Sequence, residues 1–90
     1  MFYVYIIQSK KDSKLYYGFT SDLRLRLREH NEGKVRSTKY RSPFTLIYYE
    51  AYRDQATAIQ REKLIKRSGK IRTNLKKRLK INKICPMLSG

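Results

Sequence analysis

The sequence predicts an α+β fold, in which a small, mainly antiparallel three-stranded sheet is flanked by helices in the order β-β-α-β-α-α. Three aromatic and β-branched segments, separated by polar turns, predict the strands. Segments that follow capping residues and are rich in Leu, Arg, Lys and Ile predict the helices. A chain of 90 residues with 40% apolar content can build one hydrophobic core. We therefore expect a single domain over residues 1–83 and a frayed tail over residues 84–90.

The first two predicted strands form a hairpin. Residues 2–8 and 14–19 are rich in aromatic and β-branched side chains, and the residues between them are typical of a turn. With a loop of about four residues, Tyr5 and Tyr16 fall nearly opposite one another on one face of the hairpin. A slip of one residue in register would separate them. The third strand is predicted over residues 44–51.

The segment after the hairpin predicts a helix, although Leu and Arg alternate with the period of a strand over residues 23–28. Its flanking residues decide between the two structures. Asp22 supplies an oxygen for the N-cap, and Gly33 can end the helix in the left-handed conformation. We therefore predict a helix over residues 22–32.

Helical periodicity divides the side chains of this segment between two faces. At about 100° per residue, Leu23 and Leu27 define the face toward the sheet. Arg26 and His30 are four residues apart and lie side by side next to that face. Two other arginines point away from it, toward solvent or a ligand: Arg24 and Arg28.

The second half of the chain predicts a basic loop and two further helices around the third strand. The loop covers residues 34–42. Asp54 can cap a second helix that ends near Arg67, before a Ser-Gly pair. A third helix over residues 70–83 is expected to dock its apolar side chains on the core and to present a basic outer face.

Positive charge is the strongest compositional feature. Lys and Arg number 22 against 7 Asp and Glu, which gives a net charge of +15. A compact domain with this charge repels itself, so we expect a polyanionic partner, and nucleic acid is the simplest one. The alternative is a highly soluble protein with a basic tail.

Cysteine content and hydropathy exclude other classes of protein. A single cysteine, Cys85, excludes an internal disulfide and a cysteine-rich zinc site. No apolar run approaches the roughly 18 residues of a membrane span, and no signal peptide precedes the first predicted strand. We therefore expect a cytoplasmic protein that does not bind membranes.

Elimination among the few acidic residues leaves Glu62 as the candidate metal ligand. The others belong to turns, helix caps, a helix end or a strand end. Glu62 shares the apolar arc of the second predicted helix with Ala58 and Ile65. A carboxylate there must be paired or bind a metal, because burying it bare costs several kcal/mol. An ion pair with Lys or Arg therefore remains an alternative. A lone carboxylate suits Mg²⁺, which keeps most of its waters and also binds substrate phosphate.

The hairpin tyrosines are candidates for activating water in phosphodiester hydrolysis. A tyrosine, with an ordinary pKa of about 10, is a weak base until nearby positive charge favours its phenolate. Arg26 and a metal ion can both supply such charge. The alternative is that these tyrosines are ordinary strand aromatics.

The chain contains two tripeptides that resemble those naming the GIY-YIG nuclease family: Tyr3-Val4-Tyr5 and Tyr16-Tyr17-Gly18. The stretches TSDLRLRLREHNEGKVRSTKYRSPFTLIYYE and AIQREKLIK continue the resemblance in order and spacing, up to about residue 80. The chain is most similar to the small single-domain members, which are related to the N-terminal nuclease domain of an excision-repair nuclease.

The resemblance implies catalytic roles for five side chains. Tyr5, Tyr16 or both would position and deprotonate the attacking water. Arg26 would stabilise the charge that develops at phosphorus, and His30 would orient the nucleophile or the scissile phosphate. Glu62 would hold a single Mg²⁺ or Mn²⁺ ion.

The predicted function is therefore metal-dependent DNA endonuclease activity, in DNA repair or recombination. The alternative is a non-catalytic nucleic-acid-binding module on the same scaffold. We expect a monomer or weak dimer, with a protein partner that supplies specificity. The chain departs from the family pattern at Tyr3, which stands in place of glycine, and at Phe19, where some members carry a lysine. The residues expected to bind phosphate are Arg24, Arg28, Lys39, Lys76 and Lys77.

Overall fold

The structure is a computed structural model that describes residues 1–79, and it has the predicted α+β fold. The elements are β1 Phe2–Ser9, β2 Leu15–Thr20, α1 Leu23–Asn31, β3 Phe44–Tyr52, α2 Gln55–Arg67 and α3 Gly69–Arg78. The first five agree with their predicted bounds to within one residue. The predicted tail over residues 84–90 lies outside the described residues. Over residues 1–79, none of the helices has the length and apolar character needed to cross a membrane.

Helix α3 ends at Arg78 rather than at the predicted residue 83. The backbone N–H of Leu79 closes its last turn by donating to the carbonyl of Leu75 at 3.0 Å. That turn is made of consecutive cations, and cations are favourable at a helix C-terminus, where the macrodipole is negative. The basic residues that we predicted inside the helix are therefore favourable as its last turn.

The sheet has the order β2-β1-β3 and is antiparallel throughout. Tyr5 pairs with Gly18, whereas Tyr16 pairs with Ile7. The two tyrosines are within the predicted reach of one another, with ring centroids 6.4 Å apart, but they are not directly opposite. The Ser9 N–H still donates to the carbonyl of Lys14 at 3.0 Å, so the four-residue turn begins at residue 10, one residue later than assumed. The shift in register is even, so both tyrosines still share one face as diagonal neighbours.

Alternation of side chains along β1 divides the core between the two faces of the sheet. Helix α1 packs on one face, which we call the α1 face, whereas α2 and α3 cover the other, the α2 face. The buried core of the α1 face consists of Tyr5, Ile7 and Phe44, with Leu23 and Leu27 packed against it. The buried core of the α2 face consists of Val4, Ile6, Ala58, Ile65 and Leu75. Strand β1 is thus the central strand and is covered on both sides, which explains its continuous apolar sequence.

Both ends of α1 are held in place by the residues that flank it. Asp22 accepts a hydrogen bond from the backbone N–H of Leu25 at 3.0 Å, as an N-cap should. Gly33 takes the expected left-handed conformation, with a φ of 75°. The side chain of Asn31 then bonds to the backbone of Phe44, donating at 3.3 Å and accepting at 2.5 Å. These contacts set the position of α1 relative to β3.

Candidate active site

A buried chain of hydrogen bonds links β1, α1 and the loop that follows α1. The Tyr5 hydroxyl lies 2.8 Å from Nε2 of His30. On the other side of the ring, Nδ1 of His30 lies 2.7 Å from Oγ1 of Thr38. The three residues are at most 1% exposed. Tyr5 and His30, which the sequence placed near one another only through the family resemblance, are thus in direct contact.

Burial keeps His30 neutral, and Thr38 allows it two tautomers. Desolvation, assisted by the charge of Arg26, lowers the pKa of His30 to about 4. In one tautomer Nδ1–H donates to Thr38, whose hydroxyl donates to the carbonyl of Val35 at 3.5 Å, and Nε2 accepts the Tyr5 proton. In the other, the Thr38 hydroxyl donates to Nδ1, and Nε2–H donates to the Tyr5 oxygen. The chain can therefore support either a phenol or a phenolate at Tyr5.

The ring of Tyr5 lies directly over Gly18 of β2. A Cβ atom added at Gly18 would overlap the phenol oxygen and ring carbons of Tyr5. Glycine is therefore required for the ring to take this position. Burial raises the pKa of Tyr5 to about 12, although the nearby guanidinium of Arg26 opposes that shift. At neutral pH Tyr5 is a protonated phenol without access to solvent.

Arg26 joins this chain to the surface. Its guanidinium donates to Oε1 of Glu29, one helical turn away, at 3.2 Å. Its proximity to the Tyr5 hydroxyl contributes to the pKa shifts of both groups. The Arg26 side chain is 36% exposed. Because a guanidinium has five N–H donors, these two contacts leave donors for an anion from solution.

Tyr16, Lys66 and Glu62 extend the site beyond the buried chain. The Tyr16 ring centroid lies 5.0 Å from that of His30, and Nζ of Lys66 lies 5.7 Å from the Tyr16 centroid. Nζ of Lys66 forms an ion pair with Oε2 of Glu62 at 3.1 Å, and the Glu62 side chain is 18% exposed. The Glu62 charge contributes to the raised pKa of Tyr5. The carboxylate of Glu62 is thus linked to the Tyr16 ring through Lys66, which is an ion-pair partner of the kind considered above.

Glu62 is a single carboxylate and not part of an acidic cluster. Within residues 1–79, no group of three or more His, Cys, Asp or Glu side chains is placed to hold a metal ion. An ion at Glu62 would take its remaining ligands from water and phosphate. Mg²⁺ and Mn²⁺ accept such a ligand set, and the carboxylate of Glu62 fits them on that condition.

The predicted phosphate-binding residues fall into two separate places. Arg24 and Arg28 are exposed on α1, and Lys39, also exposed, directly follows Thr38 of the buried chain. Two further lysines are exposed on α3, which covers the opposite face of the sheet: Lys76 and Lys77. The structure therefore brings the first group to the side of the candidate site and leaves the α3 lysines apart from it.

Comparison with known proteins identifies the scaffold. A family model described as the GIY-YIG catalytic domain matches residues 1–77. The chain belongs to the GIY-YIG family. The GIY-YIG domain is a nuclease-type domain, which agrees with the resemblance drawn from the two tripeptides.

Relatives of this GIY-YIG protein are small proteins of similar length. A UPF0213 protein of Streptococcus pyogenes serotype M5 is 41% identical over 66 residues, which cover 72% of this chain and 71% of the relative. A UPF0213 protein of serotype M1 gives the same values. The solution NMR structure of the UPF0213 protein BH0048 from Bacillus halodurans is 33% identical, with a TM-score of 0.53 over 83% of this chain and 82% of that one.

Three side chains at the GIY-YIG site were missed by reasoning from the sequence. Glu29 and Lys66 lie three and four residues after Arg26 and Glu62, respectively, and these helical spacings could have predicted both ion pairs. No comparable spacing in the sequence indicated that Thr38 contacts His30. Thr38 lies in an irregular loop, where no periodicity relates it to His30.

Proposed function

We propose that this GIY-YIG protein is a metal-dependent endonuclease that hydrolyses phosphodiester bonds in DNA. The observation that supports the proposal is the convergence of two phenols, an imidazole, a guanidinium and a carboxylate from four different elements: Tyr5, Tyr16, His30, Arg26 and Glu62. A net charge of +15 adds a general attraction for a polyanionic substrate.

The two tyrosines take different parts in the proposed reaction. Tyr5 is buried with its hydroxyl against His30, so it does not contact the attacking water and serves to position His30 and Arg26. Tyr16 is partly exposed, next to the Lys66–Glu62 pair. We assign the contact with the attacking water to the Tyr16 oxygen. After the phenol has released its own proton to solvent, the phenolate oxygen accepts the proton of that water.

Arg26 stabilises the negative charge that develops on the phosphate oxygens during attack. Its contacts with Glu29 and Tyr5 hold the guanidinium before substrate arrives. A donor that is already in place needs little reorganisation as charge develops, which is the main source of electrostatic catalysis. Charge-assisted hydrogen bonds from Arg to phosphate are also among the stronger ones in proteins.

Glu62 would hold one Mg²⁺ or Mn²⁺ ion. Bound there, the ion supplies positive charge to the scissile phosphate and its leaving oxygen. Lys66 occupies the Glu62 carboxylate at 3.1 Å and must give way. DNA phosphates attract the same ammonium group, so substrate binding favours the exchange.

The substitution Glu62→Gln tests the proposal. Supercoiled, branched and single-stranded DNA are incubated with Mg²⁺ or Mn²⁺, and cleavage is followed on gels. Wild type should cleave at least one of these forms. Glu62→Gln should lose on the order of hundredfold or more in rate, the scale on which loss of one charge-stabilising group acts, while DNA affinity changes little.

Glu32→Gln is the matched control for this experiment. Glu32 also pairs with a lysine at 3.1 Å, namely Lys34, but at the exposed end of α1. Removing its charge should leave the cleavage rate unchanged. An equal loss of cleavage in both variants would mean that net charge, and not a site at Glu62, controls the rate.

A non-catalytic nucleic-acid-binding module is the second candidate function. The pairing of Glu62 with Lys66 favours it, because the carboxylate that would hold the metal ion is occupied by an ammonium group. Absence of cleavage on every form of DNA, with binding that weakens steeply as salt increases, would establish this function instead.

The proposal includes a biological setting. We place the protein in the cytoplasm, in DNA repair or recombination, as a monomer or weak dimer. A protein partner would supply the specificity for a branched or damaged substrate.

A further inference from the structure

An open cleft of about 460 Å³ lies on the α1 face, on the β3 side of α1. Tyr3, Leu46 and Tyr49 of the sheet form one part of its lining. The first turns of α1 form the other part, with Leu27 and Arg24 among them. We call this cavity the aromatic cleft. None of the five side chains that converge at the candidate active site lines it.

Two tyrosine rings form an aromatic wall of the cleft. The ring centroids of Tyr3 and Tyr49 lie 5.9 Å apart, with their planes at 67°. Tyr49 is 52% exposed, although it lies on a sheet face that α1 covers elsewhere. Tyr3 stands where the family tripeptide has glycine, so this aromatic wall is not part of the common GIY-YIG pattern.

The chemistry of the lining selects a planar ligand that carries negative charge. The two aromatic rings and the leucine side chains favour an apolar, flat group, and Arg24 adds an exposed cation at the same place. The carboxylate of Asp22, which also lines the cleft, is engaged as the N-cap of α1 and accepts from the backbone N–H of Leu25. A nucleotide has both properties. In a duplex, however, neighbouring base pairs cover both faces of each base, so only an unpaired base can stack on a tyrosine ring.

The aromatic cleft is continuous with the candidate active site. Tyr49 of β3 pairs directly with Tyr5 of β1, and Tyr3 is the next residue of β1 on the same face. Arg24 and Arg26 are separated by one residue of α1. The two sites lie on either side of this one helix, whose diameter is about 10 Å. A single strand bound at Tyr16 therefore has a short path over α1 to the cleft.

We propose that the aromatic cleft binds an unpaired nucleobase of single-stranded DNA beside the position of cleavage. This inference rests on the proposed action on DNA and specifies its substrate class. Tyr49 stacks on the base, Tyr3 supports Tyr49, and Arg24 binds an adjacent phosphate.

Tyr49→Ala tests this binding without any chemistry. Fluorescence anisotropy measures the affinity of a labelled single-stranded oligonucleotide and of the same sequence as a blunt duplex, both in EDTA. The variant should bind the single strand about tenfold more weakly, which is the scale of one lost base–aromatic stack, with duplex affinity unchanged. Tyr49→Phe, which keeps the ring, should bind as wild type does.

Tyr40→Ala is the matched control, because Tyr40 is 76% exposed in the loop after α1 and does not line the cleft. Unchanged single-strand affinity in Tyr49→Ala, or equal losses for single strand and duplex, would overturn the proposal. So would a change of oligomeric state in Tyr49→Ala by sedimentation, which would make the cleft a protein interface. Because EDTA removes the metal, these outcomes are independent of whether the protein cleaves DNA.

Discussion

The two faces of the sheet use tyrosine hydroxyls in different ways. On the α2 face four side chains form a cluster that we call the Glu50 clamp: Tyr48, Glu50, Tyr52 and Arg61. Both tyrosine hydroxyls donate to Glu50 at 2.5 Å, and Arg61 donates to both of its carboxylate oxygens at 2.9 and 3.1 Å. Each oxygen of Glu50 therefore has two donors, and its charge is balanced by Arg61.

The cluster on the α1 face is uncharged apart from Arg26, and its hydrogen bonds can be arranged in more than one way. Tyr5 keeps its proton and His30 lacks a second one, because burial moves both pKa values away from neutrality. The neutral His30 ring has two possible tautomers, and Arg26 at the edge is partly exposed. The comparison shows two uses of polar side chains. The Glu50 clamp, in which each carboxylate oxygen accepts from two donors, fixes α2 to the sheet. The uncharged chain of hydrogen bonds on the α1 face has Arg26 at its edge, and this cation can respond to a ligand.

The largest expected difference between the clusters is in stability. Glu50→Gln removes the charge that faces Arg61 and places an amide against existing donors. Breaking a largely buried ion pair in this way should lower the free energy of unfolding by about 3 kcal/mol. Urea denaturation followed by circular dichroism measures the loss.

Glu62→Gln is the comparison variant for this experiment. Its ion pair with Lys66 is partly exposed and spans a single helical turn. Pairs of this kind contribute about 0.5 kcal/mol or less. A similar loss of stability in the two variants would contradict the distinction between a structural clamp and a functional carboxylate.

Acid should weaken the Glu50 clamp in a defined pH window. Hydrogen bonds from Arg61 and the two tyrosines overcome desolvation and lower the pKa of Glu50 from 4.5 to about 2. Stability from this group is therefore complete above pH 4.5 and is lost as pH falls toward 2. After allowance for solvent screening the loss is about 2 kcal/mol.

The measurement that isolates this effect is the stability difference between wild type and Glu50→Gln. It should be constant above pH 4.5 and should shrink as pH falls from 4.5 toward 2, because wild type then loses the charged interaction that the variant already lacks. A pH-independent difference would show that the carboxylate does not keep its charge through the clamp.

Local patterns predicted the parts of the site that one element determines. Capping by Asp22, termination at Gly33 and the helical wheel placed Arg26 and His30 on one side of α1, where the structure has them. Glu62 emerged from the apolar arc of α2 in the same way. Each of these predictions depends only on the helical period within one element, so the sequence alone was sufficient to make it.

Contacts between elements could not be predicted in this way. Glu50 was expected only to close β3, although the period of a strand puts Tyr48 and Tyr52 on its side of the sheet. Its partner Arg61 comes from a helix whose rotation on the sheet depends on packing. Thr38 reaches His30 through a loop without periodicity. The register of the hairpin depends on where the turn begins, which the sequence of the hairpin alone left open.

Thr38→Val tests whether the hydrogen-bonded chain of Tyr5, His30 and Thr38 affects catalysis. It should lower stability less than the loss of the Glu50 clamp does. Valine keeps the shape of threonine but leaves Nδ1 of the buried His30 without a partner, at a cost of about 1.5 kcal/mol. It also removes the hydroxyl that permits both tautomers. On the proposed mechanism, kcat should fall about tenfold with KM for DNA unchanged, because Thr38 positions His30 and does not contact substrate. Thr38→Ser, which restores the hydroxyl, should recover kcat. If Thr38→Ser were as slow as Thr38→Val, packing of the methyl group would be responsible, and the hydrogen-bonded chain would have no part in the reaction.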